Sequence, residues 1–181
     1  MTNENYWKER YGHAWDKSKF REESIKEKIK NETNRSVVNV GLGAGSAEYI
    51  PGTAKNSGYE RGGADLKIDG LNIYLEVTGP QVKSIDLSKP LWIRPDKIEN
   101  AKKNYPLHET WVIHWLERDG TLRVINLNND FFESVAKGIY KTVLPVIRGT
   151  TEKYIEVPSE DPCVKNWKTL IDRIKSVNMD Q

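Results

Sequence analysis

Residues 62–80 contain an Asp-Gly dipeptide between two short stretches in which polar and apolar residues alternate. Asp-Gly in this setting is a strong signal for a two-residue β-hairpin turn, so Ile68 is predicted to face Leu71. Successive side chains of a strand point to opposite faces, and paired residues share a face. The pattern therefore predicts a hairpin whose apolar face lies on a core and whose other face is polar.

The polar face of this hairpin carries two carboxylates, Asp65 and Glu76, on neighbouring strands. The predicted register places them diagonally, about 7–8 Å apart at the backbone. Two convergent carboxylates suit a hard divalent cation such as Mg²⁺ or Mn²⁺, which prefers oxygen ligands and keeps several waters. Such an ion can activate water for phosphate-ester hydrolysis, and a lysine normally assists it. The same face also carries Lys67, Asn72, Tyr74 and Thr78.

Length and composition predict one domain spanning residues 1–181 and no membrane-spanning segment. The chain has 28 basic and 26 acidic residues, a net charge of +2, so a polyanion would have to be met by a local basic patch. The lone cysteine, Cys163, excludes an intrachain disulfide and a cysteine-rich zinc site. No apolar run reaches 18 residues. We therefore expect a cytoplasmic, intracellular protein.

The periodicity of the remaining chain predicts a mixture of helices and strands. A surface helix is expected over 17–33 and a strand over 36–40, followed by a glycine-rich segment, Gly41–Ser46. That segment lacks the third glycine of a dinucleotide fingerprint and the Lys-Ser/Thr of a P-loop, so we interpret residues 41–63 as a loop. A small-molecule enzyme with a nucleotide bound there is the alternative reading.

Later elements follow from proline, capping and turn signals. Pro95 predicts the start of a helix through Lys103, and 110–116 reads as a central strand that contains His114, by default a hydrogen-bonded core histidine. The remaining predicted elements are a strand over 122–127, a helix over 131–137, strands around 143–144 and 154–157, and a helix over 162–177.

Asp65, the hairpin and Glu76-Val77-Thr78 resemble the PD-(D/E)XK nuclease superfamily, which includes restriction endonucleases and archaeal Holliday-junction resolvases. The predicted element order over 17–127 also resembles the αβββαβ core of that superfamily. The resemblance implies an α/β, restriction-endonuclease-like core over 17–127 with a mixed central sheet flanked by helices, and a C-terminal extension over 128–181.

The same resemblance implies an activity and partners. It points to an endonuclease that uses Mg²⁺ or Mn²⁺ to hydrolyse phosphodiester bonds in DNA, with RNA as the second choice of substrate. Many nucleases of this fold act as homodimers, which makes a homodimer a further expectation. The rival interpretation is a catalytically inactive module of the same fold that binds nucleic acid or a protein partner.

Thr78 occupies the position where the family pattern has lysine, so an active enzyme would need another lysine to supply the charge, whereas an inactive module would lack it. Cap-snatching viral endonucleases, which resemble this superfamily, take their lysine from the following helix. By that analogy Lys97 is the first choice and Lys67 the second, with Lys83 and Lys89 of the intervening loop as further alternatives. The same enzymes use a helix glutamate and an N-terminal histidine as ligands, which implies Glu22 as an auxiliary metal ligand and makes His13 a candidate.

Overall fold

The computed structural model describes residues 3–41, 62–147 and 149–177. The predicted loop over 41–63 therefore lies almost wholly outside the described residues. In chain order the elements are α1 (Asn3–Thr33), β1 (Val37–Asn39), β2 (Leu66–Ile68), β3 (Ile73–Thr78), β4 (Leu91–Ile93), α2 (Pro95–Asn104), β5 (Glu109–Trp115), β6 (Leu122–Asn126), α3 (Asn129–Ala136), β7 (Lys141–Val143), β8 (Val146–Ile147), β9 (Thr150–Thr151), β10 (Tyr154–Val157), β11 (Lys165–Asn166) and α4 (Trp167–Ser176).

A mixed sheet lies at the centre of the fold, with strand order β1-β2-β3-β5-β6-β11 in the part of the chain that is described. Strands β3 and β5 are parallel, and every other neighbouring pair is antiparallel. The parallel pair requires a crossover, which residues 79–108 supply through β4 and α2. The strand that carries Glu76 is consequently interior, between β2 and β5.

Each face of the central sheet packs against its own hydrophobic cluster. On one face, α1 and α4 cover alternate residues of β2, β3, β5 and β6. On the other face, α2, α3 and a second sheet of order β4-β10-β7 enclose the side chains of Val112, Ile125 and Leu127. Residues 128–177 contribute to both clusters, so the segment expected as an extension is packed into the same core.

The predicted hairpin forms, but its register differs from the prediction. Leu66 pairs with Leu75 and Lys67 with Tyr74, two positions beyond the expected pairing. A type I′ turn needs a positive φ at both central residues, and here Gly70 has φ +75° whereas Asp69 does not have a positive φ. The connection is therefore longer than two residues. A shift by two preserves the period of the strand, so the apolar and polar faces remain as predicted.

Several element boundaries also differ from the sequence prediction. Helix α1 begins at Asn3 rather than near Lys17, and α4 begins at Trp167 because a short edge strand, β11, precedes it. The sequence does not predict strand β4, because this strand has only three residues and forms by pairing with β10, which is far away in the sequence. Helix α2 begins at Pro95 as predicted. None of the described helices is both long enough and apolar enough to cross a bilayer.

Candidate active site

Asp65 lies just before β2, where its backbone and its carboxylate both contact β3. Its N–H donates to the carbonyl of Leu75 at 3.1 Å, and its own carbonyl accepts from the N–H groups of Val40 and Gly41. Asp65 Oδ2 accepts from the Val77 N–H at 3.1 Å. These bonds fix the carboxylate beside the Glu76–Val77 peptide, and the residue is only 8% exposed.

Glu76 occupies an interior position of β3, in register with Val112 of the parallel strand β5. Its side chain points to the face covered by α2, and the residue is 8% exposed. An interior strand leaves a carboxylate little freedom to reach water, so this group depends on neighbouring side chains for stabilisation.

Lys97 enters the site from the first turn of α2. Its Nζ lies 2.6 Å from Glu76 Oε2 and 3.6 Å from Asp65 Oδ1. The ammonium also donates to the carbonyl of Gly63 at 2.8 Å. Pro95, at the first position of the helix, sets the entry direction of the chain that brings Lys97 to the sheet. Three groups that are separate in sequence thus meet at one point.

Gly62 explains how the segment before β2 comes so close to α2. Its φ is +79°, and a Cβ placed there would lie 2.1 Å from the carbonyl oxygen of Asp96. Only glycine combines that backbone conformation with so close an approach. The contact holds the neighbouring Gly63 carbonyl within reach of Lys97.

The electrostatics of the three groups are strongly coupled. Burial and, second, the nearby Asp65 charge raise the pKa of Glu76 well above its usual value, despite the opposing effect of Lys97. Burial acts to lower the pKa of Lys97, but the charges of Glu76 and Asp65 outweigh it and raise that pKa. Two ionised carboxylates facing one ammonium leave one negative charge in excess. The site therefore favours an additional positive charge, from a proton or a cation.

The donor set of this site fits a hard divalent cation. Both carboxylates supply oxygen ligands, and besides the 2.6 Å contact of Glu76 Oε2 with Lys97 Nζ the Glu76 carboxylate has further lone pairs that can coordinate an ion. Among the described residues no group of three His, Cys, Asp or Glu side chains is placed to hold an ion. Two carboxylates with water and substrate oxygens are nevertheless sufficient for Mg²⁺.

The other residues predicted for the site lie elsewhere. Lys67 shares the polar face but places its Nζ 5.4 Å over the ring of Tyr74, away from the carboxylate contacts that Lys97 makes. Glu22 is buried on α1 and accepts a hydrogen bond from Asn39 of β1 at 3.3 Å, without being grouped with Asp65 and Glu76. His13 is exposed on α1. Lys83 and Lys89 are exposed in the loop over 79–90.

Thr78, at the motif position of lysine, is half-buried and in register with His114 of β5. His114 is a core residue, as predicted, and its Nδ1 lies 3.3 Å from a guanidinium nitrogen of Arg123. Burial first, then the charges of Arg123 and Arg21, lower the pKa of His114 to about 3. The imidazole is consequently neutral and does not supply the positive charge of the motif lysine.

Sequence reasoning missed two buried arginines that hold the loop between the Glu76 strand and the Lys97 helix. Arg21 donates to the carbonyls of Gly79 and Pro80 and pairs with Glu117. Arg123 donates to the carbonyls of residues 87 and 89. Each arginine is 4% exposed. A charged residue inside the otherwise apolar run over 122–125 is the one sequence signal that points to Arg123.

No protein-family model matches this sequence, and no curated protein shows significant similarity to it. Among solved structures, the chain is similar to D212, a nuclease from a fusselovirus, with 17% identity and a TM-score of 0.48 over 89% of this chain and 88% of that one. At that level the similarity supports neither a fold family nor an activity for this chain. The functional argument therefore rests on the geometry of Asp65, Glu76 and Lys97.

Proposed function

We propose that this protein is a metal-dependent endonuclease that hydrolyses phosphodiester bonds, in DNA in preference to RNA. The observation that carries the proposal is the convergence of Lys97 Nζ on both Glu76 and Asp65. The mixed sheet and the order α1, β1, β2, β3, α2, β5 support a restriction-endonuclease-like core, with β4 as an addition outside the central sheet.

Asp65 and Glu76 would hold one Mg²⁺ or Mn²⁺ ion. When bound, such an ion lowers the pKa of a coordinated water and offsets the charge that develops on the phosphate. The Val77 N–H keeps the Asp65 carboxylate in place, and the interior position of Glu76 in β3 limits its rotation. The two ligands are thereby oriented before the ion arrives, which reduces the cost of binding it.

Lys97 would supply the positive charge that Thr78 cannot. Its ammonium is anchored by the Gly63 carbonyl and contacts both carboxylates. In the proposed enzyme the Lys97 ammonium would orient the attacking water and stabilise the negative charge on the scissile phosphate. Lys67 has no contact with either carboxylate in the described structure, which favours Lys97 for this role.

Calorimetric titration of Mn²⁺ into wild type and Asp65→Asn/Glu76→Gln tests the metal site. Both proteins are then incubated with plasmid DNA, single-stranded DNA and RNA in Mn²⁺ and in EDTA. We expect metal binding and cleavage for wild type only, with losses of at least 10²-fold in rate for the variant. Glu99→Gln, an exposed carboxylate on the outer side of α2, is the matched control and should behave as wild type.

An inactive nucleic-acid-binding module is the second candidate, because Lys97 already neutralises one carboxylate and no third acidic ligand joins the described site. Under that alternative, wild type binds nucleic acid but takes up no Mn²⁺ and cleaves none of the three substrates. That result would remove the catalytic proposal.

A further inference from the structure

Beside the two carboxylates, the polar face of the hairpin carries a stack of three side chains that the proposed chemistry does not use. Lys67 of β2 and Tyr74 of β3 are in register, with Lys67 Nζ 5.4 Å from the ring centroid of Tyr74. His108, just before β5, stacks on the Tyr74 ring, with centroids 4.4 Å apart and planes inclined by 22°. The stack thus combines a cation with two aromatic groups that carry hydrogen-bond donors.

This stack lies next to the candidate metal site on the same surface. Tyr74 precedes Glu76 by two residues in a regular strand, so the two side chains share a face and are about 7 Å apart along the strand. Adjacent phosphates of an extended nucleic-acid strand are separated by a comparable distance. A nucleic-acid strand with one phosphate at Asp65 and Glu76 can therefore place the adjacent phosphate at Lys67.

The charges on this surface complement such a strand. Within the described part of the chain Lys67 makes no salt bridge, and its ammonium lies over the ring of Tyr74. The two carboxylates on the same face, Asp65 and Glu76, are already in contact with Lys97. Lys67 consequently offers an unneutralised charge, held by the ring at a fixed place.

The surface around Lys67 is also partly accessible to a nucleic-acid strand. Lys67, Tyr74 and His108 are each half-buried, which leaves part of each side chain accessible. Val38, in register with Lys67 on the edge strand β1, is 42% exposed.

We propose that Lys67, oriented by Tyr74 and His108, binds the phosphate adjacent to the one hydrolysed. The occupant is a nucleic-acid strand, and the inference rests on the proposed nuclease function for the position of the neighbouring phosphate. Lys67 then acts in substrate binding, while Lys97 supplies the charge at the reacting phosphate.

The test is the salt dependence of nucleic-acid binding. Fluorescence anisotropy with a labelled single-stranded oligonucleotide measures the affinity in EDTA at salt concentrations from about 50 to about 200 mM. Loss of one phosphate contact should reduce the slope of log K against log salt by about 0.7 for a single strand. We expect Lys67→Met to show this reduction and to bind about three- to tenfold more weakly at the lowest salt. A change that is merely structural would weaken binding without a one-contact change in slope.

Matched variants separate charge from packing. Lys67→Arg retains the charge and should retain the wild-type slope, whereas Lys67→Gln provides a second neutral variant if methionine disturbs the stack on Tyr74. Lys168→Met, an exposed lysine on α4 against the opposite face of the sheet, removes the same charge elsewhere and should leave the slope unchanged.

The outcomes distinguish this inference from the proposed function. An unchanged slope in both neutral variants overturns the role of Lys67, even if Glu76→Gln abolishes cleavage. A reduced slope in a protein that cleaves nothing in Mn²⁺ supports the binding surface and contradicts the nuclease proposal. A wild-type protein that fails to bind the oligonucleotide at the lowest salt contradicts both.

Discussion

Lys97 Nζ lies 2.6 Å from Glu76 Oε2, which joins the first turn of α2 to an interior strand of the central sheet. Burial leaves these two charged groups dependent on each other, since only 15% of the Lys97 side chain and 11% of the Glu76 side chain are exposed. The same contact therefore matters for folding and for the proposed chemistry, and variants can separate the two roles.

Replacing Lys97 by methionine should destabilise the protein and have opposite effects on metal binding and catalysis. Two buried carboxylates would lose their counter-charge, for which we expect a loss of about 3 kcal/mol in the free energy of unfolding at neutral pH without metal. Mn²⁺ should bind at least as tightly as to wild type, because a competing cation is gone, whereas cleavage should fall by about 10²–10³-fold.

Urea unfolding, calorimetry and cleavage assays measure these three quantities for Lys97→Met. Lys102→Met, an exposed lysine on the same helix, is the control and should change stability by less than about 0.5 kcal/mol. Cleavage at the wild-type rate by Lys97→Met would show that another group assists the reaction.

Glu76 should make the metal-free protein less stable as the pH rises. Its pKa is raised in the folded state, so above its ordinary value of 4.5 the native protein keeps a proton that the unfolded chain releases. The corresponding stabilisation is fully present below pH 4.5 and is lost as the pH rises through the raised pKa. Glu76→Gln cannot ionise and should lack this decrease.

Unfolding in urea at a series of pH values from 4.5 upward, in EDTA, measures this difference. Parallel profiles for wild type and Glu76→Gln would contradict the raised pKa. Addition of Mg²⁺ at one hundred times its dissociation constant should restore about 2.7 kcal/mol to wild type at neutral pH and nothing to the variant.

His114 should make the protein less stable as the pH falls through the acid range. Its pKa is about 3 in the folded protein against an ordinary 6.5, so the unfolded chain binds the additional proton between those values and stability falls as the pH falls. Arg123→Met removes a neighbouring charge and should raise the pKa of His114, but not to 6.5, because burial is the largest cause of the shift. NMR titration of the imidazole measures it, and an unchanged pKa in Arg123→Met would exclude the guanidinium as a cause.

Gly62→Ala should impair both stability and cleavage. The added Cβ would meet the Asp96 carbonyl at 2.1 Å and force apart the segment and helix that hold the Gly63 carbonyl under Lys97. Gly138→Ala is a matched control, because Gly138 also has a positive φ, +69°, but has open space around it. Both variants should lose about 1 kcal/mol to backbone strain, and Gly62→Ala more.

Cleavage rates under Mn²⁺ complete the comparison, with Gly138→Ala expected at the wild-type rate. Equal stability losses and equal rates for the two alanine variants would mean that the segment before β2 adapts without disturbing Lys97.

The sequence by itself determined which residues of the hairpin share a face. Alternation has a period of two, so a register error of two positions left Asp65 near Glu76 on the polar side and Leu66 with Leu75 on the core side. The start of α2 at Pro95 was equally predictable, because proline at the first helical position acts locally. These features depend on neighbours within a few residues.

Tertiary structure decided everything that depends on distant partners. Strand β4 exists through its pairing with β10, and the buried Arg21 and Arg123 are satisfied by carbonyls of a loop far away in the sequence. The choice between Lys67 and Lys97 was also open until the fold placed one over Tyr74 and the other between the carboxylates. Local pattern fixes the direction of a side chain on its own strand or helix, but only the packing of those elements fixes which charges meet.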